Sequence, residues 1–303
     1  MKPSAPPGAF QIPLFEPPPP APTPEELGLL ALDEVSRLLL AGAGLILSMS
    51  GGKDSQAMLD YAVELLRHLG LDPAERLVLI NADLGRMEWN VTEHLEMLAR
   101  HYGVSELRRV KPPRELIDSI RRRGRWPSRE ARYCTSDHKR GPLEKVIRAL
   151  CRERGWSTAI HAMGERAQES PMRRKLAHEP LHLHDGLTKT RTARASDGPP
   201  GWGPARTVWV WHPIVLLTLD EVWARIERSG LSAHPVYAAG MRRLSCKTCI
   251  FASKNDLRVS RSLDPTFFAE AVALEKEMGH TIRPGFSLAD LDASPDDGAT
   301  GPP

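Results

Sequence analysis

Residues 48–55 read SMSGGKDS and follow directly on the apolar run AGLIL. A strand-like segment that breaks into Ser-Gly-Gly and resumes at once as a helix leaves few folds open. The glycines let backbone N–H groups approach an anion with no Cβ in the way. The helix that follows presents its dipole and its unpaired N–H groups to the same spot. Ser50 and Ser55 add hydroxyls and Lys53 adds a charge, so that with Gly51, Gly52 and Asp54 they form a pyrophosphate cradle. The spacing is not the Walker pattern, which needs four residues between its glycines and Lys-Ser/Thr directly after the second.

The surrounding periodicity supplies the frame. Thr23 and Pro24 read as N-cap and first residue of a helix through Gly42. Ala57, Met58, Tyr61, Ala62, Leu65, Leu66 and Leu69 recur at helical steps. Strands are predicted at 76–81, 106–110, 158–163 and from Thr207, and helices at 88–103, 113–123, 136–154 and from Leu219. This alternation predicts an α/β fold, a parallel central sheet flanked by helices on both faces, with ligands beyond the carboxyl ends of the strands. A folded unit over 25–284 is expected between a disordered Pro-rich arm (1–24) and a disordered tail (285–303), with a mobile Gly/Pro-rich loop at about 185–206.

With 41 basic against 38 acidic residues, the net charge of +3 does not by itself imply a nucleic-acid partner. Basic residues do cluster locally, in RRRGR (121–125) and ERAQESPMRRK (165–175). No apolar stretch is long enough to span a bilayer and no secretory core opens the chain, so a soluble, cytoplasmic protein with no membrane partner is expected. Four cysteines in 303 residues do not make a disulfide scaffold. Cys246 and Cys249 form CKTC, a turn able to give one metal two thiolates, whereas Cys151, in VIRALC, reads as structural.

SGGKDS resembles the PP-loop of the ATP-pyrophosphatase superfamily, and further segments are similar to its phosphoadenylyl-sulfate (PAPS) reductase branch. NADLG (81–85) resembles that branch's Asp-Thr-Gly segment with Leu84 in place of Thr, and GERAQES (164–170) its Gly-x-Arg-x-x-Glu-Ser motif. LDEVWARIERSGLSAHPVYAAGMRRLSC (219–246) is similar to its Glu-Val-Trp helix, His-Pro-x-Tyr and cysteine. The resemblance runs from about 44 to 255. It implies an adenine nucleotide alpha hydrolase-like fold with a C-terminal cysteine-bearing subregion, ATP with Mg²⁺, and release of pyrophosphate from an adenylated acceptor. Lys53 is then expected to neutralise the departing phosphates, and Asp54 to cap the helix or hold Mg²⁺. Asp83 is expected at the nucleotide or its metal, and Arg166 and Glu169 at the nucleotide or second substrate; Arg173 and Arg174 are weaker candidates.

The family's reductases attack sulfate with a C-terminal cysteine, and no cysteine follows Cys249 here, so reductase activity is not expected. In adenylyl-sulfate reductases a Cys-Cys pair and a downstream Cys-x-x-Cys hold a [4Fe–4S] cluster. Cys134 matches the first of that pair and Thr135 replaces the second. Cys134, Cys246 and Cys249 are therefore expected to hold a cluster with one open iron; zinc with His138 is the alternative. The sum resembles DNA-phosphorothioation-type sulfurtransferases. The acceptor stays open between a nucleic-acid backbone, a tRNA base and a small molecule, with a cysteine desulfurase a candidate sulfur donor. Two other readings are a PAPS/adenylyl-sulfate reductase or sulfate adenylyltransferase, and a non-catalytic nucleotide-binding subunit of a larger modification or defence complex.

Overall fold

The computed structural model describes residues 23–189 and 205–292. Six strands form one sheet: β1 (Gly44–Ser48), β2 (Leu77–Ala82), β3 (Glu106–Val110), β4 (Thr158–Met163), β5 (Leu181–Leu183) and β6 (Thr207–Trp211), in the order β3-β2-β1-β4-β6-β5. All pair in parallel except β5, which runs antiparallel to β6 along one edge. β1 and β2 are almost wholly buried, which explains why they read as continuous apolar runs rather than alternating ones. β3 is only half-buried, and its charged side chains mark it as an edge.

The helices are α1 (Pro24–Leu40), α2 (Lys53–His68), α3 (Pro73–Arg76), α4 (Thr92–Tyr102), α5 (Leu116–Arg123), α6 (Tyr133–Thr135), α7 (Gly141–Glu153), α8 (Pro171–Arg174), α9 (Leu219–Arg228), α10 (Lys254–Leu263) and α11 (Pro265–Met278). The helix expected over 88–103 starts at Thr92, after a 3₁₀ turn at Gly85–Met87. The segment expected to be helical over 136–154 opens with a π turn at Ser136–Arg140. One sheet face packs α2 and α4 in a core that includes Leu45, Leu47, Met58, Leu66 and Leu95. The other packs α7 through Ile147, Leu150 and Cys151 on Ile46, Val78 and Ile80. Cys151 is thus a core residue, as its apolar setting suggested.

A second core gathers Ile117 and Ile120 of α5, Trp126, Tyr133 of α6, Leu257 of α10 and Phe267, Phe268 and Leu274 of α11. Leu288 and Leu291 are buried in it at 1% and 0% exposure, so the expected tail does not begin at 285. The buried Glu275 carboxylate fixes that turn, accepting from the amides of Ile282 (2.6 Å) and Leu288 (2.8 Å) and from Ser287 Oγ (2.6 Å). The arm expected at 1–24 falls outside the described residues except for Thr23 and Pro24, which start α1 through a capping box. Residues 190–204 of the expected mobile loop also fall outside. Its ends are held, since Lys189 and Arg206 pair through their backbones and Leu187 is fully buried.

Candidate active site

From β1 the chain adds β2 and β3 on one side, then returns to lay β4 on the other side of β1. Between β1 and β4 the order reverses, and a crevice opens at the carboxyl ends there. The loop after β1 carries SGGKDS, and the loop after β4 carries GERAQES, so two motifs more than a hundred residues apart share one crevice.

Gly51 has φ +79°, and a Cβ there would stand 2.8 Å from Val91 Cγ1, so only glycine fits. Gly52 starts α2 with no side-chain cap. Ser50 Oγ accepts from the Gly52 amide and donates to Ser55 Oγ, both at 3.3 Å, and Ser55 Oγ donates to the Gly52 carbonyl at 2.8 Å. Asp54 neither caps the helix nor stands free. Its Oδ2 meets Lys53 Nζ at 3.0 Å and its Oδ1 accepts from Arg166 Nε at 2.6 Å. Burial pushes the Asp54 carboxyl up, but the charges and hydrogen bonds of Lys53 and Arg166 outweigh it and hold the group below the ordinary range.

Arg166 is itself buried, which separates this pair from a surface ion pair. Its amide donates to Glu169 Oε2 at 3.0 Å, and Glu169 also accepts from Arg173. A Cβ on Gly164 would stand 3.0 Å from the Asp54 carbonyl, so the β4 loop packs directly on the start of α2. Asp83 is not brought to this place. It turns back on its own loop, accepting from the Gly85 amide at 2.8 Å and facing Arg109 at 3.6 Å.

A cavity of about 260 Å³ is lined by Ser50, Gly52 and Asp54 on one side and by Cys134, Cys246 and Cys249 on the other. A wider cleft of about 1160 Å³, lined by Lys53, Arg166 and Arg242, shares Glu169 and Arg243 with it. The cysteines stand at the border of the second core, which brings residues far apart in sequence to one wall. Lys139 lines the same cavity, and the Cys246 sulfur, followed by Cys249 and Cys134, shifts its pKa upward against the effect of burial. Burial pushes the Cys246 thiol up to about 12 against the pull of Lys139, and raises Cys134 too. The Phe251 amide donates to Cys249 Sγ at 3.4 Å.

Three thiols with an amide donor and a lysine are a donor set suited to an iron–sulfur cluster. Among the described residues no group of three or more His, Cys, Asp or Glu stands close enough to hold a single ion. His138 lines a separate pocket with Pro112, Arg122 and Asp137 and is not among the residues lining the cysteine cavity. Sequence reasoning did not single out Tyr237, Lys139 or Thr248. The Tyr237 hydroxyl accepts from the Lys53 amide at 2.9 Å and the Leu244 amide at 3.3 Å, tying HPVY to the phosphate loop. Thr248 lines the cavity with a buried hydroxyl that has no partner among the described residues. The His-Pro-x-Tyr pattern was the one available signal; Lys139 and Thr248 had none.

A PP-loop at the switch point of a parallel sheet defines an α/β protein of the nucleotide-binding PP-loop class. Residues 44–252 match the phosphoadenosine phosphosulfate reductase domain, and the chain belongs to that family. It is 27% identical over 278 residues to an uncharacterised 37.8 kDa protein of Escherichia phage 186, covering 80% of this chain and 77% of that one. It is 25% identical over 250 residues to adenosine 5′-phosphosulfate reductase of Allochromatium vinosum, covering 79% and 80%. The phosphate complex of Candida auris phosphoadenylyl-sulfate reductase aligns with TM-score 0.44 at 15% identity, over 73% of this chain and 94% of that one. No described helix is long and apolar enough to cross a membrane.

Proposed function

We propose that this protein adenylates an acceptor with ATP and transfers sulfur to it. The observation that carries the reading is the single cavity that joins the phosphate loop to Cys134, Cys246 and Cys249. Phosphate activation and sulfur chemistry then share one space. An acceptor oxygen attacks the α-phosphorus of ATP, the bond to the β-phosphate bridging oxygen breaks, and pyrophosphate leaves with the electron pair. The loop amides and Lys53 stabilise charge on that leaving group, while Arg166 holds Asp54, and through it Lys53, in place. Sulfide then displaces AMP from the acceptor.

Cys134, Cys246 and Cys249 would hold a [4Fe–4S] cluster, which when bound would supply an iron without a cysteine ligand as a place for sulfide. Without metal, burial keeps Cys246 and Cys134 as neutral thiols, and Lys139 interacts with all three sulfurs. The rival reading, reduction of an adenylyl sulfate, rests on the Allochromatium vinosum relative. Product analysis separates the two. Given ATP, sulfide and an acceptor, the protein should form AMP and pyrophosphate, and Lys53→Ala should lower turnover by roughly 10²-fold or more. Orthophosphate as first product, or sulfite from adenylyl sulfate and a thiol with no use of ATP, would overturn the proposal.

A further inference from the structure

Charge is unevenly distributed along this chain. The whole sequence carries +3, yet residues 121–140 hold eight Lys or Arg against two Asp or Glu, so the remainder is net acidic. At least half of the described arginines outside residues 114–132 meet carboxylates: Arg225 faces Asp60 and Glu64, and Arg261 faces Asp292. Arg114, Arg122, Arg125, Arg129 and Arg132 are all exposed, and among the described residues none has a carboxylate within 4.0 Å. Like charges kept together without partners oppose folding, so packing gives no reason for this row.

The row is held firmly. Trp126 and Tyr133, exposed by only 2% and 6%, pin the segment to the second core. The Tyr133 hydroxyl donates to the Arg125 carbonyl at 2.6 Å, and the Ala131 amide donates to Ser128 Oγ at 3.0 Å. Arg132 lines the cysteine cavity, Arg129 the wider cleft, and Arg114 and Arg122 the pocket beside His138. Charges spread over three openings exceed what one small oxyanion can engage; they suit a ligand that repeats its anion. No exposed large apolar side chain lies between residues 112 and 140, which argues against a lipid surface. Guanidinium forks match phosphodiester oxygens, and the row ends at Arg132 in the cavity that Ser50, Gly52 and Asp54 of the glycine-rich loop also line.

We propose that residues 114–132 form a docking surface for a nucleic-acid strand, with its phosphates along these arginines and its reacting nucleotide in the cysteine-lined cavity. Only the second half of this statement rests on the sulfur-transfer reading. A single strand is expected to bind better than a duplex, because a stacked base cannot enter the cavity without leaving the helix.

The experiment is fluorescence anisotropy of the full chain with labelled single-stranded and duplex DNA of about 20 nucleotides, from about 50 to 200 mM salt. Single-strand binding should weaken steeply with salt, with a log–log slope of roughly −3. Arg122→Ser/Arg125→Ser removes two exposed side chains without a carboxylate partner that line neither the cysteine cavity nor the wider cleft. It should weaken binding by about tenfold and flatten the slope by about one to two, with an unchanged melting temperature. Arg114→Ser, outside the pinned segment, should act in the same direction alone. An unchanged slope in these variants, or displacement by polyglutamate as effective as by unlabelled strand, would overturn the surface. ATP binding measured on the same samples keeps the two proposals apart: its loss in wild type with strand binding intact would overturn the catalytic reading alone.

Discussion

Arg166 Nε lies 2.6 Å from Asp54 Oδ1 and joins the loop after β4 to the first turn of α2 across the point where the strand order reverses. Their side chains are exposed by only 6% and 16%, so water contributes little to balancing either charge. Removing one partner of such a pair leaves the other charged and buried, at a cost of about 3–5 kcal/mol. Arg166→Ala should therefore lower unfolding free energy by an amount near that range in urea titrations, and ATP affinity should fall with it. A loss under about 1 kcal/mol, as for an exposed pair, would show that the contact does not hold the loop.

The three cysteines make a separate prediction. Protein purified without oxygen should be brown and carry about four iron atoms per chain. Cys134→Ser, Cys246→Ser and Cys249→Ser should each lose most of it. Cys151→Ser should keep it, since Cys151 packs against Ile46 and Val78 on the opposite sheet face, away from the cavity. Iron forms thiolates itself, so the raised Cys246 and Cys134 thiols do not oppose binding once metal is present. A colourless chain that behaves the same with and without these cysteines would remove the main support for sulfur transfer.

Glu275 tests the second core. It is 4% exposed and accepts two amides and one hydroxyl, so Glu275→Ala leaves three donors without a partner. At about 1–3 kcal/mol for each buried donor, the loss should be on the order of 3 kcal/mol or more. Leu291→Ala, in the same core, should cost about 2–5 kcal/mol. Both are read by thermal or urea unfolding, and a melting temperature that does not move would mean that the 280–292 turn is not part of the folded unit.

Local signals made the central fold legible. SGGKDS joins an apolar strand to an amphipathic helix, and that sequence of types admits almost no other geometry. The partnership of Asp54 with Arg166 was not legible, because it depends on which strand lies beside β1. GERAQES put Arg166 forward as a nucleotide or second-substrate contact, and nothing in that motif signals its ion pair with Asp54. β5 has three residues, two half-buried and one exposed, and too little alternation to read as a strand. In α11, Phe267, Phe268, Ala271 and Leu274 do recur at helical steps, but the buried Glu275 blurs the contrast between its faces. A carboxylate after a strand looks the same in sequence whether it faces a ligand or its own turn, and Asp83 accepts from the Gly85 amide of its own turn.

Buried histidines predict how stability depends on pH. His161 and His212, exposed by 6% and 2%, lie toward the carboxyl end of the sheet, His161 bonded to Ser48 Oγ at 2.7 Å and His212 stacked on His182. Burial, then the neighbouring His184 and His212, pushes His161 down to about 3, and burial with His182 and Arg173 pushes His212 down to about 4. His94 is lowered to about 4 by burial and by His234. In the unfolded chain each titrates near 6.5, so below that pH the unfolded state binds more protons. Their contribution is complete above about pH 6.5 and is lost as pH falls toward 4, by up to roughly 1.4 kcal/mol per pH unit for each of His161 and His212. Paired carboxylates such as Asp54 add their own loss only at lower pH, because their unfolded values lie near 4. The melting temperature should thus hold level from about pH 8 to 7 and drop steeply between about 6 and 4.5. His161→Asn, which keeps an acceptor for Ser48, should be less stable at neutral pH yet lose stability less steeply on acidification. A wild-type melting temperature that stays flat down to about pH 5 would mean that these imidazoles take up protons in place, without opposing the fold.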